Sequence, residues 1–134
     1  MTVLSIAIFL IRILLGLTFI GHGLQKTIGW FGGNGWNKTV ESFGHMRLKP
    51  PKLMAFFAAL SEIGGGLLLA LGLLTPLASI MIIAAMVAAI ITVTGRNGYW
   101  ITNNGAEYNI LIIFVAIAII IVGPGKYSLD YLLF

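Results

Sequence analysis

Polar residues are placed along this chain so that they isolate four long apolar stretches. The first covers about Val3 to Leu24 and is interrupted by a single charge, Arg12. The second runs from Leu53 to Leu74 with Glu62 as its one charge, and the third from Leu77 to Thr94. The fourth extends from about Glu107 to Val122 and stops at Gly123-Pro124-Gly125, a combination that terminates helices. At about 1.5 Å rise per residue, runs of this length match a hydrocarbon core roughly 30 Å thick. They are continuous and do not alternate with polar positions, which excludes a transmembrane β-barrel. The pattern predicts an all-α membrane protein: one four-transmembrane-helix bundle over 1–134, with spans at about 3–24, 53–74, 77–94 and 107–122.

The connections refine this picture. Thr75-Pro76 reads as a tight break that makes the second and third helices antiparallel neighbours. A long first loop, 25–52, separates the first two spans. The tail from Tyr127 to Phe134 sets Ser128 and Asp130 among Leu129, Tyr131, Leu132 and Leu133, the signature of a short interfacial helix capped by Ser128. The first run lacks a basic leading segment and a small-residue cleavage site, so it reads as a retained span and not as a signal peptide.

Composition agrees with a lipid-solvated chain. Of 134 residues 59% are hydrophobic and 9% charged, with a mean hydropathy of +1.03; soluble domains carry about 25% charged residues. The net charge of +4 does not point to nucleic acid, because the basic residues lie between apolar runs. Lys26, Lys38, Arg47, Lys49 and Lys52 share the first loop and Arg96 lies in the third, while the opposite side holds only Lys126 and the terminal amine. Excess Lys and Arg marks the cytoplasmic side, so the 25–52 loop is expected inside and both termini outside. There is no cysteine, which excludes disulfides, thiolate-bound iron–sulfur clusters and CxxCH haem attachment. The two histidines, His22 and His45, are too few for a metal site. Electrons, if this chain handles them, must come from an organic carrier or a partner protein.

Arg12 and Glu62 carry the most information. An ionised side chain at mid-span costs about 2.5–3.5 kcal/mol on insertion scales, so the two are expected to face each other across the bundle. Such a pair either fixes helix register or forms a polar patch that holds a head group or relays a proton. At about 100° per residue, Arg12, Gly16, Phe19, Gly23 and Lys26 share a face of the first helix, with His22 on the adjoining stripe. Ala55, Ala58, Ala59, Glu62, Gly66 and Ala70 form a small-residue face on the second, which allows close approach. Beyond the first span, GHGLQKTIGWFGG at 21–33 places His22, Gln25 and Lys26 before Trp30 and Phe31. That is either an ordinary interface of snorkelling Lys and anchoring Trp or a donor set beside aromatics suited to a flat carbonyl ring such as a quinone. Glu107 lies three residues after Asn104, the spacing of an N-cap with Glu at N3, and is also a candidate ligand-binding residue.

At these residues the sequence resembles the DoxX family of small bacterial membrane proteins, over essentially the whole chain. The resemblance rests on Arg12 with GHGLQKTIGWFGG, on SEIGGGLLLALGLLTP at 61–76, NGYW at 97–100, GAEY at 105–108 and GPGKYSLD at 123–130. It implies a four-helix protein of the bacterial plasma membrane, an oxidoreductase label, and a link to quinone, catechol and oxidative or electrophile stress. Many members carry a His just before the NG of the third loop, where this chain has Thr94-Gly95-Arg96. The leading expectation is a quinone-linked redox protein in which Arg12 and Glu62 form a polar floor, His22 and Lys26 act as proton or hydrogen-bond donors, and Gln25, Trp30 and Phe31 hold the ring. A redox partner and a homo-oligomer accompany that expectation. The alternatives are a non-enzymatic accessory or scaffold subunit and a small-molecule exporter; the missing inverted repeat counts against export.

Overall fold

The computed structural model describes residues 2–134, whose regular elements are all helical. Helices α1 (Thr2–Thr27), α3 (Pro51–Leu71) and α4 (Thr75–Thr92) are long and apolar enough to cross a membrane, and α5 (Glu107–Val122) is a shorter apolar helix. Two small helices complete the chain, α2 (Gly35–His45) and α6 (Leu129–Leu133). Leu14, Ile91, Phe114 and Ile121 are each more than two-thirds exposed. Soluble monomers rarely expose apolar surface so widely, so lipid is the solvent of this outer face.

Two boundaries differ from the sequence reading. The break between the second and third runs is Gly72-Leu73-Leu74, with Gly72 at φ +67° and Leu74 at φ +49°, and Thr75 and Pro76 already belong to the first turn of α4. Proline is favoured there because a first-turn N–H has no intrahelical acceptor to lose. The first loop also contains the helix α2. Its Trp36, Thr39, Val40 and Phe43 turn inward at helical spacing, while Asn37, Lys38 and Glu41 are exposed.

The tightest packing is between α1 and α3. A Cβ on Gly16 would lie 2.5 Å from the Gly66 carbonyl oxygen, and one on Gly66 would lie 2.5 Å from that of Gly16. Glycine at both positions brings the two backbones into contact. In turn α3 packs on α4 and α4 on α5. Phe19, Leu69, Ile82, Met86, Ile112 and Ile119 meet in the core between them. Register follows from the contacts: Gly16 lies against Gly66 and Ala70, Gly23 against Ile63, and Arg12 against Leu69 and Gly72.

At the end that carries the termini, the tail folds back over the α3–α4 turn. The Asp130 carboxylate accepts from the Leu74 N–H at 2.8 Å and the Thr75 N–H at 2.9 Å. The Asp130 N–H donates to the Gly72 carbonyl at 2.8 Å. Ser128 caps α6 as expected, its hydroxyl accepting from the Tyr131 N–H at 3.2 Å.

Candidate functional site

The antiparallel register of α1 and α3 separates the two charges expected to pair. Arg12 faces the Leu69–Gly72 end of α3, whereas Glu62 lies seven to ten residues, or about 10–15 Å, further along the axis. Arg12 is fully buried and donates from Nη2 to the Tyr127 carbonyl at 2.6 Å and from Nη1 to the Leu69 carbonyl at 3.4 Å. Its nearby opposite charge is Asp130. The expected Arg12–Glu62 contact is thus replaced by a clamp between α1 and the tail. Gly72 belongs to that clamp, because a side chain there would collide with the guanidinium.

Glu62 is paired with Lys26. The Lys26 Nζ donates to Glu62 Oε1 at 2.7 Å, with the carboxylate side chain 8% exposed and the lysine 28%. Lys26 sits in the last turn of α1, where its stem runs along the apolar bundle and its head reaches a buried acid. One turn earlier, His22 Nδ1 lies 3.2 Å from Gln25 Oε1, so it is the Nδ1–H tautomer that makes this bond. Gln25 Nε2 donates in turn to the Phe31 carbonyl at 3.2 Å. His22, Gln25, Lys26 and Glu62 therefore form one polar centre at the loop end of the bundle.

Beside this centre is a cavity of about 340 Å³ between the end of α1 and α2, lined by Gln25, Lys26, Asn34, Thr39, Ser42 and Phe43 together with Gly32 and Gly33. Gly33 packs against the Gln25 backbone so closely that any Cβ would overlap it. Thr39 ties α2 to α1, with its hydroxyl 2.7 Å from the Gly35 carbonyl and 3.1 Å from that of Lys26. Trp30 and Phe31 do not cover the cavity. They are 57% and 70% exposed, stacked edge to face on each other at 6.1 Å, and Phe43 is the aromatic that walls it.

Glu107 stands apart from this group. It is the first residue of α5, not its third, and its carboxylate accepts from the Ile101 N–H at 3.0 Å. Asn104 adopts the left-handed conformation at φ +59° and ends the short 3₁₀ turn Ile101–Asn103. The Glu–Asn spacing thus serves a loop closure and not a capping box. The next two residues are the ones the sequence reading passed over. Tyr108 lies within coulombic range of Glu62, and the buried Asn109 accepts from Thr94 Oγ1 at 2.8 Å and donates to Met86 Sδ at 3.4 Å. Tyr108 is in the GAEY stretch, so the sequence did mark it, but its approach to Glu62 depends on α5 packing beside α4.

Among the described residues no three His, Asp or Glu side chains converge as a metal site would require. The cavity falls within the roughly 300–1,000 Å³ of small-molecule sites, and its lining offers the Lys26 ammonium, the amides of Gln25 and Asn34, and the hydroxyl of Ser42 as donors.

The apolar helices, the lipid-facing surface and the buried acid–lysine pair at one end define a small helical membrane protein with a polar centre at the mouth of its bundle. Residues 7–95 match the DoxX family, and the chain belongs to it. It is 30% identical over 130 residues to the Bacillus subtilis protein named "Putative oxidoreductase CatD", covering 97% of this chain and 89% of that one. It is also 30% identical to the uncharacterized membrane protein Rv3486 of Mycobacterium tuberculosis, over 92% of this chain and 79% of that one. No solved structure matches it.

Proposed function

We propose that this protein is a membrane-embedded oxidoreductase, or the membrane subunit of a redox complex, that works with a quinone- or catechol-type compound in resistance to electrophile or oxidative stress. The observation that carries this reading is the ion pair of Lys26 with the nearly buried Glu62, set at the edge of a polar cavity in a chain otherwise made for lipid. The oxidoreductase name of the Bacillus subtilis relative supports it. In this reading all four apolar helices span the bacterial plasma membrane, α5 contributing 16 residues or about 24 Å. The 25–52 loop then faces the cytoplasm, where a partner protein delivers electrons.

A quinone supplies a two-electron carrier that takes up two protons on reduction. The residues here bind and orient it. Lys26 and Gln25 donate to ring oxygens, and Phe43 packs against the ring. Glu62 fixes the Lys26 ammonium at the rim, and Tyr108, within coulombic range of that carboxylate, is a hydroxyl for proton transfer. His22 orients the Gln25 amide and so acts through it.

Solvent extraction of the detergent-purified protein followed by mass spectrometry should yield a quinone. Quenching of loop Trp fluorescence by an added soluble quinone should weaken in Lys26→Ala and His22→Ala and stay unchanged in Lys38→Ala. Losing one donor to a buried oxygen costs about 0.5–1.5 kcal/mol, or up to about 3 when the donor is charged, which is roughly a two- to hundredfold loss of affinity. Equal binding by all three variants would leave the accessory-subunit reading. One observation favours that alternative: the Arg12 guanidinium and the Glu62 carboxylate each meet a protein partner without any ligand. An obligate protein partner retained on purification, with no bound ring, is its expected signature.

A further inference from the structure

At the opposite end of the bundle lies a larger cavity, of about 580 Å³, between the start of α1, the start of α4 and the tail. Its wall is largely apolar, built from Leu4, Ile8, Leu74, Val122 and Phe134, with Tyr131 and Lys126 also lining it. Two charged residues line it. Asp130 is turned inward: its carboxylate receives the Leu74 and Thr75 N–H groups and lies in the field of Arg12, so its charge is answered within the protein. Lys126 is exposed and has no carboxylate partner among the described residues. Its backbone N–H bonds to the Ser5 hydroxyl at 3.3 Å, which fixes its position at the cavity rim. Lys126 is therefore the one side-chain charge lining the slot that no other side chain answers.

We infer that this groove is a binding site for an anionic phospholipid of the leaflet on the termini side, with one acyl chain along Leu4, Ile8 and Val122 and the phosphate on Lys126. Chemistry matches an amphiphile: the wall is apolar, the unanswered side-chain charge is the cationic Lys126, and Tyr131 beside it is a residue type enriched at membrane interfaces. Charge complementarity selects the occupant. A zwitterionic lipid gains little from a lone lysine, whereas an anionic head group gains the attraction of a cation near a membrane surface. Lys126 is also the one exposed Lys or Arg on its side of the protein, where positive residues otherwise weaken the topological signal of the first loop. The site is independent of the loop-side cavity and of any redox activity.

The test is native mass spectrometry of the full chain, released from detergent mixed with equal amounts of dioleoyl phosphatidylglycerol and dioleoyl phosphatidylcholine. The wild type should retain one phosphatidylglycerol in preference. Lys126→Ala should lose that preference about fivefold, the weight of one lysine near an anionic surface, Lys126→Arg should keep it, and Lys38→Ala should leave it unchanged. Leu4→Trp, at a half-exposed position on the slot, should fill it and reduce retention of both lipids, with helicity by circular dichroism unaltered. Equal retention of the two lipids by the wild type, unchanged preference in Lys126→Ala, unchanged retention in Leu4→Trp, or a dimer that carries no lipid would each overturn the assignment.

Discussion

Lys26 is 28% exposed and Glu62 8%, so the ion pair between them sits where removing one partner strands the other. Breaking a fully buried pair costs about 3–5 kcal/mol; with Lys26 partly open to solvent, Lys26→Ala should cost about 3 kcal/mol or less. Lys26→Met with Glu62→Met should cost less than Lys26→Ala alone, because no charge is left behind. Arg12→Ala and Glu62→Gln should add within about 0.5 kcal/mol, since they lie about 10–15 Å apart along the axis and share no partner. Thermal unfolding in detergent of these variants and of the Arg12→Ala/Glu62→Gln double checks both statements, and strong coupling of Arg12 to Glu62 would restore the pairing that the register removes. Asp130 gives a pH-dependent counterpart. Burial alone would raise its carboxyl, but the bonds from Thr75 and Leu74 and the charge of Arg12 hold it below the ordinary value. A depressed carboxylate contributes stability above its unfolded pKa, about 3.9, and loses it as pH falls through the lower folded value. The gap in melting temperature between wild type and Asp130→Asn should thus be constant near neutrality and close below about pH 3.9.

At the scale of helices, the α1–α3 seam decides which glycines matter. Gly16→Ala drives a methyl to 2.5 Å from a backbone oxygen that cannot rotate away, and overpacking of this kind costs about 1–3 kcal/mol. Gly21, with nothing within 4 Å of its would-be Cβ, is the control. Gly21→Ala should stabilise by up to about 1 kcal/mol through helix propensity alone, and denaturation midpoints in mild detergent separate the two. The long helices were legible to within a few residues because a run of apolar side chains has no other solvent-compatible state than a span or a core. The amphipathic α2 was less visible: its inward stripe is only Trp36, Thr39, Val40 and Phe43 in an otherwise polar segment between glycines. The pairing of charges failed for a geometric reason. Both Arg12 and Glu62 read as mid-span, but antiparallel helices fixed by Gly16 against Gly66 put them at different depths. His22, Gln25 and Lys26 were legible as a group because a single helix sets their spacing. Tyr108, Phe43 and Asp130 were not, since each reaches its neighbours only through tertiary packing.

For the molecule as a whole, basic residues lie at the end that holds α2 and the loop-side cavity, and that end should face the cytoplasm. A cysteine placed at the exposed Asn37 should resist a membrane-impermeant thiol reagent in intact cells, while one added after Phe134 should react; the reverse result inverts the orientation. The clamp at the other end has a consequence for how each copy is made. Arg12 is synthesised 115 residues before the Tyr127 carbonyl that receives it. At about 5–20 residues per second, the guanidinium waits roughly 6–23 s for this acceptor, at a cost of about 2.5–3.5 kcal/mol within the bilayer. The apolar residues around it must outweigh that cost during insertion, before any tertiary contact exists to share it. A ribosome that stalls short of residue 127 leaves a guanidinium without its shortest acceptor and without the Asp130 charge, a chemical mark that tells an unfinished copy from a finished one.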